Sequence, residues 1–158
     1  MIFLLYWVIG IISGVVNLYM QGFPSDPSQI CYVLLLHQFV VTFGLLGITG
    51  LFSNMVFAKQ NAKACGWPGG PFQIKDGFSQ LGLGVMGVMC YWFKDGFWLG
   101  TLVSMYIYGI SGLWSHCNVM KTNKKVDAES IANIIMDIAY QTFLTVLSVK
   151  TGGIWFIK

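Results

Sequence analysis

Polar residues interrupt this chain at long intervals, and the apolar stretches between them have the length of bilayer-crossing helices. A hydrocarbon core of about 30 Å takes roughly 20 helical residues. Five segments come near that length, at about 2–20, 30–57, 78–93, 97–119 and 130–149. The breaks between them have chemical causes. Gln21 to Pro27 holds two prolines, and Gly66-Trp67-Pro68-Gly69-Gly70-Pro71 cannot form regular helix. Lys94-Asp95-Gly96 makes a tight reversal, and Lys121 to Glu129 is the most charged stretch of the chain. The second segment is longer than a bilayer needs, so its end near Lys59 and Lys63 is expected to tilt or emerge. The third is short and glycine-rich. The pattern therefore predicts an all-α fold, a polytopic membrane helix bundle of about five transmembrane helices in one domain over residues 1–158, with four spans plus a re-entrant segment as the alternative.

Within each segment, small and polar residues recur at helical spacing. The first carries Tyr6, Gly10, Ser13 and Asn17 on one face, with Gly14 beside them; the second carries His37, Gly44, Gly47, Leu51 and Asn54. Gly82, Gly84 and Gly87 flatten the third, and Ser104, Tyr108, Ser111, Ser115 and Asn118 line the fourth. The fifth has Asn133, Asp137, Gln141 and Thr145 at intervals of four. Lipid gives helices little hydrophobic reason to associate, so such seams are either packing contacts or the lining of a polar path. Gly10 with Gly14 and Gly96 with Gly100 also offer close-approach spacings to a partner chain.

Composition strengthens the membrane assignment. The chain is 56% hydrophobic and 9% charged, too little polar surface to clothe a water-soluble globule of 158 residues. All nine basic residues are Lys, spread over short connectors without a basic run, which removes nucleic acid as a partner. Lys59, Lys63, Lys75, Lys121, Lys124 and Lys125 fall on one side of the five-span topology, and Lys94, Lys150 and Lys158 on the other. The lysine-rich side is expected to be cytoplasmic, with the amino end inside and the carboxyl end outside. No charged head precedes the first apolar run, so that run is expected to be retained as a span. Trp155 and Phe156 in the tail suit a membrane surface.

Chemistry concentrates in the last span. Asp137 lies seven residues into it, about 10 Å below the surface, and a carboxylate at such depth is expensive enough to suggest function. His116 is its nearest basic candidate, and Asn133 and Gln141 share its helix face; a neutral, hydrogen-bonded Asp137 is the structural alternative. His37 and His116 are separated by roughly 15 Å along the membrane normal and cannot ligate one haem. Cys31, Cys65, Cys90 and Cys117 sit 25 or more residues apart, so no metal site and no cofactor is expected. There is no nucleophile elbow or phosphate loop, and the Gly82, Gly84, Gly87 spacing sits in an apolar segment, not after a strand.

Gly66-Trp67-Pro68-Gly69-Gly70-Pro71-Phe72-Gln73, followed by Gly77 and a glycine-rich span, resembles the signature of a family of small prokaryotic membrane proteins known only as a domain of unknown function. The small residues of Gly112 to His116, with Asn133 and Asp137, continue the likeness over most of the chain. The resemblance implies a Glu two positions after Pro-Phe-Gln, where this chain has Lys75 with Asp76 beside it. It implies the fold and the cytoplasmic membrane of a prokaryote, but no reaction. Three function classes follow. The first is a non-catalytic packing or accessory subunit, self-associating or held by other membrane subunits. The second is a small transporter or channel for protons or cations using Asp137, and the third an enzyme acting on a lipid or quinone. The Gly66 to Phe72 connector is expected to pack against the bundle, since Trp67 and Phe72 would otherwise be exposed apolar area.

Overall fold

The computed structural model describes residues 2–65, 70–123 and 128–155, without the side chains of residues 61, 64, 65, 123 and 129. The chain is all-helical among those residues. The elements are α1 (Ile2–Met20), α2 (Pro27–His37), a π-helical segment (Gln38–Phe43), α3 (Gly44–Val56), α4 (Ala58–Cys65), α5 (Pro71–Met89), α6 (Gly96–Asn123) and α7 (Ala128–Lys150). Among the described residues four helices are long and apolar enough to cross a membrane: Ile2–Met20, the continuous rod Pro27–Val56, Gly96–Thr122 and Ser130–Lys150. The stretch expected as a third span lies in α5. That helix starts seven residues earlier than expected, carries Lys75 and Asp76 in its second turn, and is not one of the four.

Proline placement explains one shifted boundary. Pro27 ends nothing; it is the first residue of α2, where its missing N–H costs no helical hydrogen bond. Asp26 caps that end. Its carboxylate accepts bonds from Ser28 N at 2.9 Å and Ser28 Oγ at 2.7 Å, which hold it below the usual carboxylate range.

Three glycines of α5 let it lie against the rod. A Cβ at Gly84 would stand 2.8 Å from Gly47 Cα and 2.9 Å from Phe43 O, and one at Gly77 would stand 2.9 Å from Asn54 Cβ. A Cβ at Gly87 would run into Phe39 O. The two helices are antiparallel, since Gly77 meets the far end of α3 while Gly87 meets the π segment. Gly10 and Gly14 do the same for α1, seated on Gln38 and Thr42 and on Leu34 and His37. That close-approach pair is therefore used inside the chain. Gly82, Gly96 and Gly100, in contrast, have open space where a Cβ would go.

The core is aromatic. Phe39, Phe43, Trp98, Leu102, Leu144 and Tyr140 are buried together, with Trp98 stacked on Tyr32 at 4.7 Å and edge-on to Phe39 at 5.3 Å. Trp98 Nε1 donates to Cys90 O at 2.9 Å, tying α6 to the end of α5. Beside it a polar cluster bridges three elements. Thr42 Oγ1 stands 3.1 Å from Tyr6 O and 2.9 Å from Gln38 Oε1, its one hydrogen serving either, and Tyr140 Oη donates to Gln38 Oε1 at 3.3 Å. The outward faces carry Ile12, Val16, Ile107, Ile110 and Ile135, all exposed, as helices surrounded by acyl chains require.

Candidate functional site

Helices α5, α6 and α7 do not close against one another as α3 and α5 do. Between them lies a cavity of about 550 Å³, walled also by Ile2 and Phe3 of α1 and by Leu46. The polar stripe of α7 faces it: Asn133, Asp137 and Gln141 all line the cavity, one helical turn apart. From α6 come Tyr108, Ser111, Ser115 and His116, and from α5 Gln73 and Asp76. Met105, Trp114, Met136 and Tyr140 supply apolar wall.

Glycine spacing on α6 makes room for the α7 side chains. A Cβ at Gly112 would stand 3.2 Å from Asp137 Oδ2, and one at Gly109 would overlap Gln141 Nε2. The Asp137 carboxylate thus rests against bare α6 backbone. It accepts no hydrogen bond among the described residues, and the opposite charge that acts on it is that of His116 when protonated. Gln141 Nε2 donates to Met105 O at 3.3 Å, while its Oε1 has no partner.

Asp76 is a second carboxylate on the same cavity. Asn54 Nδ2 donates to its Oδ2 at 3.5 Å and Gln80 Nε2 at 3.0 Å; Gln80 Nε2 also reaches Tyr108 Oη. Asn54, expected among the polar candidates, therefore supports Asp76 from α3. The sequence reading left Asp76 in a connector and did not single out Gln80. The signal was available: Gln73, Asp76, Gly77 and Gln80 have spacings of three and four, so the helical period runs back past Gly77 to Pro71. Lys75, standing where the resemblance implies Glu, is exposed, and the carboxylate enters the cavity from the next residue.

His37 belongs elsewhere. Its Nδ1 lies 2.9 Å from Ser13 Oγ, and its Nε2 lies 2.9 Å from Asn17 Nδ2. Ser13 Oγ spends its hydrogen on Gly10 O at 3.0 Å, and Asn17 Oδ1 accepts from Gln21 Nε2 at 2.8 Å. With those donors assigned, His37 is held as the neutral tautomer protonated on Nδ1. It fastens α1 to α2 and takes no part in the cavity.

Of the connector motif, Gly66, Trp67 and Pro68 lie outside the described residues. Gly70 takes a positive φ of 96°, which favours glycine, and Pro71 opens α5. The expectation that Phe72 tucks into the bundle is corrected: it is 81% exposed at the cavity rim. On this helix Gln73 and Gly77 are buried, which leaves Phe72 a hundred degrees around the helix from Gln73. Among the described residues no three His, Cys, Asp or Glu stand close enough to hold a metal ion. Cys31, Cys90 and Cys117 are free thiols.

The chain belongs to the family of unknown function DUF6790, which matches it over residues 1–152. No curated protein gives a significant match, and no solved structure does.

Proposed function

We propose that this member of DUF6790 is integral to the cytoplasmic membrane of a prokaryote and moves protons or cations by way of the cavity, with Asp137 as the exchanging group and Asp76 as its companion. One observation carries this reading: two carboxylates, on separate helices of an otherwise apolar bundle, line a single cavity with no basic side chain hydrogen-bonded to either among the described residues. A buried acid that served packing alone would be saturated with donors; Asp76 accepts two bonds, both on Oδ2, and Asp137 accepts none among the described residues. His116 on the α6 wall offers an imidazole nitrogen as a proton acceptor. With α5, antiparallel to the rod, taken as a fifth crossing, six lysines fall on one side and three on the other, which favours an inside amino end and an outside carboxyl end. In support, Lys94 lies 5.7 Å over the Tyr32 ring near the start of the rod, whereas Asp76, beside Lys75, pairs with Asn54 at its end.

A second reading, a packing or accessory subunit that self-associates or joins other membrane subunits, is favoured by Gly82, Gly96 and Gly100, small residues with nothing packed on them in this chain.

Reconstitution in liposomes separates the two. Wild-type protein is expected to dissipate an imposed proton or potassium gradient, and Asp137→Asn to lower that flux by about tenfold or more with helicity and elution volume unchanged. Flux no greater than in empty liposomes, or flux indifferent to Asp137→Asn, defeats the transport reading. The accessory reading expects Asp137→Asn to be silent and a second membrane protein to accompany the chain through gentle extraction.

A further inference from the structure

The cavity holds a detail that proton exchange leaves unused. Gln73, on its wall, is 3% exposed, and among the described residues both its Nε2 and its Oε1 lack a hydrogen-bond partner; Gln141 Oε1, of another lining residue, lacks one too. A buried amide with neither atom satisfied costs stability unless something else supplies the missing bonds. Two orphan acceptors call for N–H donors, and one orphan donor calls for an oxygen. Two carboxylates nearby call for positive charge. The wall between them, formed by Phe3, Met105, Trp114 and Met136, calls for a hydrocarbon body. A bare proton answers only the charge; an alkali ion answers the charge and the orphan oxygens but neither the Gln73 amide donor nor the apolar wall, and no three His, Cys, Asp or Glu stand together to hold a metal ion among the described residues.

Resting on the transport reading above, we infer that the cavity is a binding site for a small organic ammonium ion that carries a hydroxyl or carbonyl oxygen near its nitrogen on an apolar body. A volume of about 550 Å³ suits such a molecule, since small-molecule pockets run from about 300 to 1,000 Å³. The ammonium N–H groups face Asp137 and Asp76, and Gln141 Oε1, closed off from the cavity as it stands, accepts from them after a turn of its amide. With a turn of its terminal amide, Gln73 donates to the ligand oxygen and accepts from the ammonium. Trp114 and the aromatic rings of the wall receive the body and add a cation–π contribution.

Two probes and one variant test this in the detergent-solubilised full chain. Calorimetric titration with 2-amino-1-phenylethanol is expected to show saturable binding. Its N,N,N-trimethyl derivative, which keeps the charge and the hydroxyl but has no N–H, is expected to bind about tenfold or more weakly, because hydrogen bonds to charged groups contribute about 1.5–3 kcal/mol. Gln73→Leu is expected to weaken the amino alcohol by about tenfold while raising the unfolding temperature of the ligand-free protein, because it removes two unsatisfied buried atoms. Absence of saturable binding overturns the inference. So does equal binding of the two probes, or a Gln73→Leu protein that fails to fold or melts lower, which would make Gln73 a structural residue. Asp137-dependent proton or potassium flux without amine binding removes this inference and keeps the transport reading; amine binding without flux does the reverse.

Discussion

Glycine does opposite work in two regions of this bundle. Where α5 crosses α3, Gly47 and Gly84 face each other, and a Cβ on either would stand 2.7–2.8 Å from the other's Cα. Backbone fills the space that the missing side chains leave. On α6, Gly109 and Gly112 also lack side chains, but the space is taken by Gln141 and Asp137 reaching across from α7. The first arrangement fixes two helices with nothing that can give way, and the second lets long polar side chains occupy a cavity wall. A seam of small residues therefore stands for packing or for a site according to what its neighbour presents.

The sharpest way to break this comparison is Gly84→Leu. The atoms it meets, Gly47 Cα and Phe43 O, are backbone, so the helices must separate. The expected cost is about 3 kcal/mol, the upper range for overpacking, seen as a lower midpoint in detergent-to-SDS unfolding. Gly82→Leu, two residues away with open space beside it, is the control and should leave the midpoint nearly unchanged. Equal loss in both variants would mean that the crossing is not what holds α5.

Gly109→Ala tests the other region with a smaller change. The new methyl overlaps Gln141 Nε2, the end of a flexible side chain, so Gln141 should swing away from Met105 O and into the cavity. Stability is expected to fall by about 1 kcal/mol, the net worth of one hydrogen bond, while liposome flux changes severalfold. A large stability loss with unaltered flux would place Gly109 in the same class as Gly84.

Most of this architecture was legible in the sequence because helix length and apolarity are local properties. Four helices long and apolar enough to cross a membrane, of the five spans expected, and the polar faces Tyr6–Gly10 and Asn133–Asp137–Gln141 follow from spacing alone. What spacing cannot give is the partner of a face. Gly10 and Gly14 have the same pattern whether they seat a second chain or Gln38, Thr42 and Leu34 of this one, and only the tertiary arrangement decides. Asp76 was hidden for another reason. Lys75 and Asp76 form a charged pair that marks a connector by composition, yet consecutive helical residues point about 100° apart, so that one faces outward and the other faces the cavity. His37 shows the converse, since a lone intramembrane histidine suggests chemistry until Ser13 and Asn17 account for both ring nitrogens.

Tyr140 stands where the two regions meet, and the smallest expected effect concerns it. Its ring packs edge-on against Phe3 at 4.8 Å and Trp7 at 5.2 Å, with Phe43 at 6.5 Å, while its hydroxyl reaches Gln38 Oε1 in the π segment. If the polar bond joins cavity to core, Tyr140→Phe should loosen the junction; if ring packing does, the change should be slight. Packing is the better account: the bond is long at 3.3 Å, and Gln38 Oε1 keeps Thr42 Oγ1 as an alternative donor. Hydrogen bonds between membrane helices average about 0.6 kcal/mol, so Tyr140→Phe should cost about that much in SDS-titrated unfolding. Tyr140→Ala, which removes the ring, should cost about 3–5 kcal/mol. Similar losses in the two variants would transfer the junction from the aromatic cluster to the Gln38 bond.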